Sequence, residues 1–257
     1  MASVTIDPRI QARRAQVLRL RGRRRLRVLV VFVVATAFAV AGWWLVLKSP
    51  VFDVDQVTVV GARHTDVAAA INASGIEKGQ SLVEVDMSSA RDGIARLPWV
   101  ESVSSARGMG GEVTFDITER SPSAVVAVSD GWVLVDPAGR VLDTVDTVPT
   151  DVVVLEGSLG SLEPGDWVPD SRLEALEVAA QLPPGLRPKV ATVSGAGSQL
   201  RLELFGGGLV DIGDTSDLEA KFLSTLTLLV RLDIACLERI DVRAPSVPIL
   251  TRVGGCS

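Results

Sequence analysis

The sequence predicts an α+β protein with an N-terminal transmembrane helix, a small domain of order β-α-α-β-β, and a β-rich domain of mostly antiparallel strands with two helices. Three observations lead to this prediction. A 20-residue apolar run follows an arginine-rich tail, and the body of the 257-residue chain is rich in alternating apolar segments. Helix-capping signals lie between the first of these segments, and turn residues separate the later ones. With 47% hydrophobic residues, the chain can form one or two cores.

The charges are divided between a basic tail and an acidic body. Residues 1–27 hold nine arginines and one acid, whereas residues 48–257 hold 17 Lys and Arg against 30 Asp and Glu. An acidic body argues against nucleic acid as the main ligand, because phosphate binding needs a positive surface. The tail lies directly before the apolar run, which favours a role in membrane topology and predicts a cytoplasmic segment at 1–27.

The apolar run Val28–Leu47 carries no charged residue. About 20 residues at a rise of about 1.5 Å span the ~30 Å hydrocarbon core, so we predict a transmembrane helix with the body outside the cytoplasm. The predicted anchor residues are Val28, Phe38, Trp43, Trp44 and Leu47, with the two tryptophans at the membrane interface. A cleaved signal peptide is the alternative, because Ala39-Val-Ala41 fits a cleavage site. Cleavage there would leave an apolar stretch at the mature N-terminus.

Residues 51–120 are expected to form the first domain. Its predicted elements are a strand at Val54–Val60, a helix at Thr65–Ala73 capped by Thr65, a helix from Ser88 or Ser89 to Leu97, and strands at Val100–Arg107 and Glu112–Glu119. Gly75 and Pro98 would end the two helices, and glycines at 108–111 would turn the last two strands into a hairpin. This order predicts a three-stranded sheet covered on one face by two helices.

Residues 121–252 are expected to form the second domain, followed by a tail at 253–257. The alternation predicts strands at Ala124–Val128, Trp132–Asp136, Val141–Val145, Val152–Leu155, Lys189–Val193, Gln199–Phe205, Leu209–Ile212, Glu238–Arg243 and Pro248–Arg252. Two capping boxes, Ser171…Glu174 and Ser216…Glu219, predict helices that end at Leu182 and Leu232. The sequence leaves the strand count open by one or two.

The two cysteines, Cys236 and Cys256, lie in the predicted extracytoplasmic body. A disulfide is chemically permitted there. Because Cys256 is the penultimate residue, the favoured interpretation is one buried thiol and one free thiol in the tail. Whether the two cysteines pair is left open by the sequence.

The chain offers no constellation of residues typical of catalysis. The single histidine, His64, lies in a turn and is expected to be exposed or to cap a helix. The sequence has no P-loop, G-x-S-x-G or H-E-x-x-H motif, and one histidine with two distant cysteines makes a poor zinc set. We therefore predict a protein that is not an enzyme and uses no cofactor or metal.

A membrane protein that displays β-rich surface usually works by binding, and an exposed strand edge can accept a partner strand. The last strand, Pro248–Arg252, is the first candidate for such an edge. Pro245 and Pro248 flank or begin this segment. Prolines at these positions are equally consistent with the protection of an ordinary edge against aggregation.

Several segments resemble the FtsQ/DivIB family of bacterial cell-division proteins. Ser49–Gly61, Leu97–Val100 and Val113–Ala124 resemble the POTRA domain of that family. The hairpin Gly131–Leu142 resembles the opening of the family's β domain, and the segments Arg239–Arg243 and Pro248–Arg252 resemble its last two strands. The high Arg, Ala and Val content with little lysine indicates a GC-rich bacterium, and the resemblance is to actinobacterial members.

The resemblance implies a divisome scaffold without catalysis, held in the cell membrane at the division septum, that links early and late division proteins. In the family, the POTRA domain takes part in recruitment by other divisome proteins. The β domain binds an FtsB/DivIC-type protein, which is complexed with FtsL, by adding a strand to its C-terminal edge. The partner-binding residues implied here are Ile240, Asp241, Arg243, Ile249, Leu250, Thr251 and Arg252. Arg243 matches a family arginine that pairs with an acidic residue of the partner, whereas Ala244 stands where some relatives carry an aromatic contact.

Two alternative functions belong to other classes. A membrane-anchored extracytoplasmic cell-wall enzyme would need an active site in the β domain, and the missing constellation counts against it. A POTRA protein of outer-membrane assembly or secretion would need several POTRA units or a long run of barrel strands. The sequence contains neither.

Overall fold

The computed structural model describes residues 27–43, 53–108, 110–231 and 234–254. The contacts within the chain divide it into two units. The first comprises Met1–Gln56, Glu77–Val85 and Arg107–Val113, and the second comprises Val57–Ile76, Asp86–Ala106 and Thr114–Ser257.

Residues 27–43 are helical and form α1. Three predicted anchor residues lie on this helix with largely exposed side chains, at 64% for Val28, 76% for Phe38 and 68% for Trp43. Trp44 and Leu47 lie outside the described residues. Within the part of the chain that is described, no helix is both long and apolar enough to cross a membrane. The anchor therefore stays a prediction.

The first five elements after α1 follow the predicted order β-α-α-β-β. They are β1 (Gln56–Val60), α2 (Val67–Ser74), α3 (Met87–Ala95), β2 (Val100–Arg107) and β3 (Glu112–Glu119). The three strands form one sheet in the order β1-β3-β2. The central strand β3 buries alternate side chains, those of Val113, Phe115 and Ile117, as the period of a strand requires.

The predicted cap of α2 is wrong, and α3 begins with the same kind of cap. Asp66 rather than Thr65 caps α2, since its carboxylate accepts hydrogen bonds from the N–H groups of Ala68 and Ala69. Asp86 caps α3 in the same way and also accepts the hydroxyl hydrogen bonds of Ser88 and Ser89. These hydrogen bonds hold the pKa of Asp86 well below its usual range. In both helices a carboxylate takes the capping position, because it binds the free N–H groups of the first turn and also interacts favourably with the helix dipole.

The remaining elements form the β-rich part of the chain. They are β4 (Ala124–Val128), β5 (Gly131–Val135), β6 (Val141–Val145), β7 (Val153–Ser158), α4 (Leu173–Gln181), β8 (Val190–Ser194), β9 (Leu200–Leu204), β10 (Leu209–Gly213), α5 (Leu218–Leu229), β11 (Leu237–Asp241) and β12 (Ile249–Arg252). The nine strands form one sheet in the order β12-β11-β10-β9-β8-β7-β4-β5-β6. Five of its pairs are antiparallel and three are parallel, which confirms the predicted α+β class and a mostly antiparallel sheet.

The sheet buries side chains on both faces. The main core joins strand residues such as Leu202 and Ile240 to Leu176 of α4 and Phe222 of α5. Val125, Leu134 and Leu142 form a second cluster with Trp99, which lies just before β2. Because side chains alternate along β4, Val125 points away from its neighbours Ala124 and Val126 in the main core.

Neither predicted capping box forms. Ser171 lies in a 3-10 turn, and α4 begins without a side-chain hydrogen bond at its N-cap residue Arg172. Helix α5 also lacks a side-chain cap at Asp217. The Ser216 hydroxyl donates instead to the carboxylate of Asp214, which also accepts from the buried ammonium of Lys221 at 2.8 Å. Ser171 and Ser216 each lie one residue before the N-cap of their helix, so neither occupies the position from which the motif caps.

An ion pair joins the end of β3 to the turn after β5. Arg120 Nη1 lies 2.6 Å from Asp136 Oδ2, with 19% and 4% of the two side chains exposed. The Arg120 Nε group donates to the Val100 carbonyl, and its backbone N–H donates to the Trp99 carbonyl. The other oxygen of Asp136 accepts the N–H groups of Ala138 and Arg140. Both charged groups therefore help to organise this junction.

The single histidine takes part in a structural cluster. Glu119 accepts hydrogen bonds from the backbone N–H groups of Arg63, His64 and Thr65, and His64 Nδ1 lies 3.1 Å from the same carboxylate. The His64 ring stacks on Trp99 with centroids 4.2 Å apart. Burial alone would raise the pKa of Glu119, but the hydrogen bonds, that of the Thr65 N–H foremost, lower it to about 2.

We expect Glu119→Gln to lower the free energy of unfolding by about 1–3 kcal/mol at pH 7, because a charged acceptor of three N–H groups is lost. The pKa of Glu119 falls from an ordinary 4.5 to about 2 on folding, so its contribution is complete above pH 4.5 and is lost as the pH falls towards 2. Chemical denaturation of both proteins between pH 7 and pH 2 measures this difference. Glu101→Gln, an exposed strand position, is the control. A difference that stays constant across this range would contradict the assignment.

Candidate partner-binding edge

Strand β12 lies at one edge of the nine-stranded sheet. It pairs antiparallel with β11, with Asp241 opposite Ile249, Ile240 opposite Leu250 and Arg239 opposite Thr251. Among the described residues no strand lies beyond β12. The predicted edge is therefore an edge in this structure.

The backbone of β12 presents hydrogen-bond donors to the open side. Just past the strand, the Val253 N–H donates to the Cys236 carbonyl, towards β11. In an extended strand the N–H groups of every second residue point the same way. The N–H groups of Thr251 and Ile249 therefore face β11, and those of Leu250 and Arg252 face away from it.

The side chains of β12 divide between the two faces of the sheet. Leu250 is half-buried and packs against the main core, on the same face as the fully buried Ile240. Ile249, at 62% exposed, lies with the exposed Thr251 on the opposite face. The side chains of Ile240 and Leu250 therefore support the strand from the core side.

Arg243 lies just after β11 and is bound to Asp241. Its Nε lies 3.0 Å from both carboxylate oxygens, and its Nη2 also donates to Oδ2. Hydrogen bonding from Arg243 lowers the pKa of Asp241, and the same hydrogen bond raises the pKa of Arg243. The stem of Arg243 lies against Gly213, where an added Cβ would come 2.8 Å from Arg243 Cγ. The guanidinium is thus held in place while 63% of the side chain stays exposed.

A row of charges that the sequence did not indicate lies beside this pair. The carboxylate of Asp211 on β10 accepts from Arg201 on β9 at 2.8 Å and from Arg239 on β11 at 2.9 Å. The strand registers place Arg201, Asp211 and Asp241 side by side on one face. The face beside Ile249 and Thr251 is therefore polar, with three arginines against two acids.

Apolar surface continues from the edge towards α5. Val247 is 71% exposed in the segment that leads into β12. A groove of about 490 Å³ lies between this segment and α5, lined by Ala220, Leu223, Ser224, Thr227, Leu228, Pro245, Ser246 and Pro248. Exposed apolar surface beside an open strand is typical of a protein-binding site.

Cys236, directly before β11, is disulfide-bonded. The expected buried thiol is therefore wrong for this residue. The Val253 N–H donates to the Cys236 carbonyl, so Val253 lies beside this position. Cys256, which was predicted to carry a free thiol, lies outside the described residues.

Nothing among the described residues assembles a metal-binding cluster of three or more His, Cys, Asp or Glu side chains. The site therefore consists of a strand edge, an exposed arginine and flanking apolar surface. This arrangement can bind a polypeptide by backbone hydrogen bonds and side-chain contacts.

Comparisons with known proteins identify both halves of the body. Residues 52–120 match the POTRA domain of FtsQ type, and residues 124–243 match the C-terminal domain of the cell-division protein FtsQ/DivIB. A solved extracytoplasmic domain of the cell-division protein DivIB from Geobacillus stearothermophilus covers 43% of this chain and 87% of its own at 18% identity, with a TM-score of 0.30.

Curated relatives from actinobacteria match over most of the chain. The cell division protein FtsQ of Streptomyces bingchenggensis is 32% identical over 90% of this chain and 90% of its own length. That of Streptomyces collinus is 30% identical over 88% and 89%. The match to FtsQ of Corynebacterium glutamicum is 32% identical over 50% of this chain and 56% of that protein. The chain belongs to the FtsQ/DivIB family of bacterial cell-division proteins.

Proposed function

We propose that the protein is a divisome scaffold that binds an FtsB/DivIC-type protein, complexed with an FtsL-type protein, by adding a partner strand to β12. The observation that carries this proposal is the open edge of β12, with the N–H groups of Leu250 and Arg252 directed outwards. Membership of a cell-division family makes another division protein the natural partner.

The implied residues contribute to the proposed contact in different ways. The backbone of Leu250 and Arg252 supplies the outward donors, and the exposed side chains of Ile249 and Thr251 contact the partner strand on one face. Arg243 pairs with an acidic side chain of the partner. Because Asp241 already binds Arg243, the partner's carboxylate shares or displaces Asp241.

The proposed topology explains the short junction before the first domain. A helix at 28–47 holds the chain in the cell membrane, with the tail at 1–27 in the cytoplasm. The first domain at 51–120 and the β domain at 121–252 then lie outside it. Three residues, 48–50, separate the apolar run from the first domain. Partners anchored in the same membrane are held at a raised effective concentration, so a modest interface suffices.

We expect Arg243→Glu to weaken binding of the purified FtsB/DivIC–FtsL extracytoplasmic segments about ten- to a hundredfold without unfolding the domain. The variant loses the guanidinium and places a second carboxylate beside Asp241. Titration calorimetry measures the affinity, and the circular-dichroism melting curve checks the fold.

Asp241→Asn is the matched control for this substitution. It removes the internal competitor of the partner's carboxylate and leaves Arg243 in place, so binding should be at least as tight as in the wild type. Wild-type affinity of Arg243→Glu would refute the charge pair.

Septal location is tested by a fluorescent fusion to the N-terminus in dividing cells. A midcell band for the wild-type protein is expected. A uniform membrane signal together with normal division in cells lacking the protein would refute the scaffold role.

A further inference from the structure

The end of β12 lies beside a disulfide. Cys236 is disulfide-bonded and directly precedes β11, and its carbonyl accepts the Val253 N–H at 3.1 Å. The sequence contains one other cysteine, Cys256, three residues beyond Val253. Three residues extend about 10 Å at most, so a chain that passes Cys236 at Val253 can turn back and reach it.

We infer that the disulfide joins Cys236 to Cys256 and clamps the free end of β12 onto β11, which makes the order of the binding edge depend on the oxidation of these two thiols. Closing the bond removes two electrons and two protons from the thiols. A disulfide of an extracytoplasmic thiol–disulfide oxidoreductase accepts them and becomes a dithiol.

Strand β12 is weakly held without such a clamp. It has four residues and pairs on one side, with Leu250 the half-buried member that packs against the core. Its register with β11 is interrupted between Leu237 and Arg239, next to the end of the chain. Short terminal strands with few buried contacts open locally at low free energy. A cross-link at this end limits that opening, because it restricts the conformations of the released segment.

The consequence for binding rests on the proposed function. A partner strand can add to β12 only while β12 is paired with β11. In the reduced protein, β12 is paired with β11 in only a fraction of the molecules. The apparent affinity for the partner falls in proportion to that fraction, because binding must first order the strand.

The test uses the full chain, oxidised, against Cys256→Ser and Cys236→Ser. Peptide mapping without reductant should find residues 236 and 256 in one cross-linked species of a monomer. Hydrogen exchange at the amides of Thr251 and Val253 should be about tenfold faster in both variants. The amide of Val133 in β5 is the internal control and should not change.

Two free thiols in the oxidised, denatured protein, a disulfide-linked dimer, or unchanged exchange at Thr251 and Val253 would each overturn the clamp. Ser257→Ala is the matched variant, since it alters the same tail without touching a cysteine.

The exchange measurement needs no partner, so it separates the clamp from the proposed function. Binding of the FtsB/DivIC–FtsL segments is then compared between the oxidised protein and Cys256→Ser. Faster exchange with weaker binding supports the coupled inference, and faster exchange with equal binding refutes the link between clamp and partner. If the segments bind neither protein, the proposed partner fails, while the clamp still stands or falls by exchange alone.

Discussion

Asp136→Ala should lower the free energy of unfolding by about 3 kcal/mol, which corresponds to a melting temperature lower by about 6–12 °C. The substitution leaves the mostly buried guanidinium of Arg120 without its carboxylate partner. It also removes the acceptor of the Ala138 and Arg140 N–H groups in the turn after β5. Removing one member of a buried, hydrogen-bonded pair costs far more than the net value of the pair.

Asp143→Ala is the control, because Asp143 is an exposed aspartate on the neighbouring strand β6. An exposed substitution of this kind is expected to change stability by about 0.5 kcal/mol or less. Urea denaturation of the three proteins gives the free energies. A loss below about 1 kcal/mol for Asp136→Ala would show that the Val100 carbonyl and water satisfy Arg120 without the carboxylate.

The strands could be predicted because their signal is local. Successive side chains of a strand point to opposite faces, so apolar and polar residues alternate along a strand with one buried face. This pattern depends on the strand itself, and it predicted the nine strands of the large sheet and the three of the small one.

The predicted helix caps failed because each helix begins one residue later than predicted. The N-cap residues of α2, α4 and α5 are Asp66, Arg172 and Asp217, each directly after the residue predicted to cap. Sequence signals place a helix end only to within one or two residues.

The edge was predicted from the position of the last strand, but the charges beside it were not. Arg201, Asp211 and Arg239 come from three strands, and their contact depends on the order in which those strands lie side by side. The alternating pattern predicts which face of the sheet a side chain occupies, but it does not predict which strands lie next to each other. The pairing of Arg243 with Asp241 is local, two residues apart, and this spacing after a strand could have suggested it.

Leu250→Pro should lower affinity for the FtsB/DivIC–FtsL segments by at least about a hundredfold. The Leu250 N–H faces the open side of β12, and proline removes that donor and places its ring where a partner carbonyl would approach. The same substitution keeps the hydrogen bonds that Ile249 and Thr251 direct to β11. Strand pairing with β11 is therefore expected to survive, and titration calorimetry with the purified segments measures the loss of binding.

Two variants separate the donor from other effects of the substitution. Leu250→Ala keeps the outward N–H and removes the side chain that packs against the core, so it should lose some stability but keep most of the binding. Thr251→Pro removes a donor that faces β11, so it should unpair β12 itself and raise amide exchange at Val253. If Leu250→Pro binds like the wild type, the partner does not add a strand here. If Leu250→Ala binds as weakly as Leu250→Pro, contact with the Leu250 side chain rather than the backbone donor accounts for affinity.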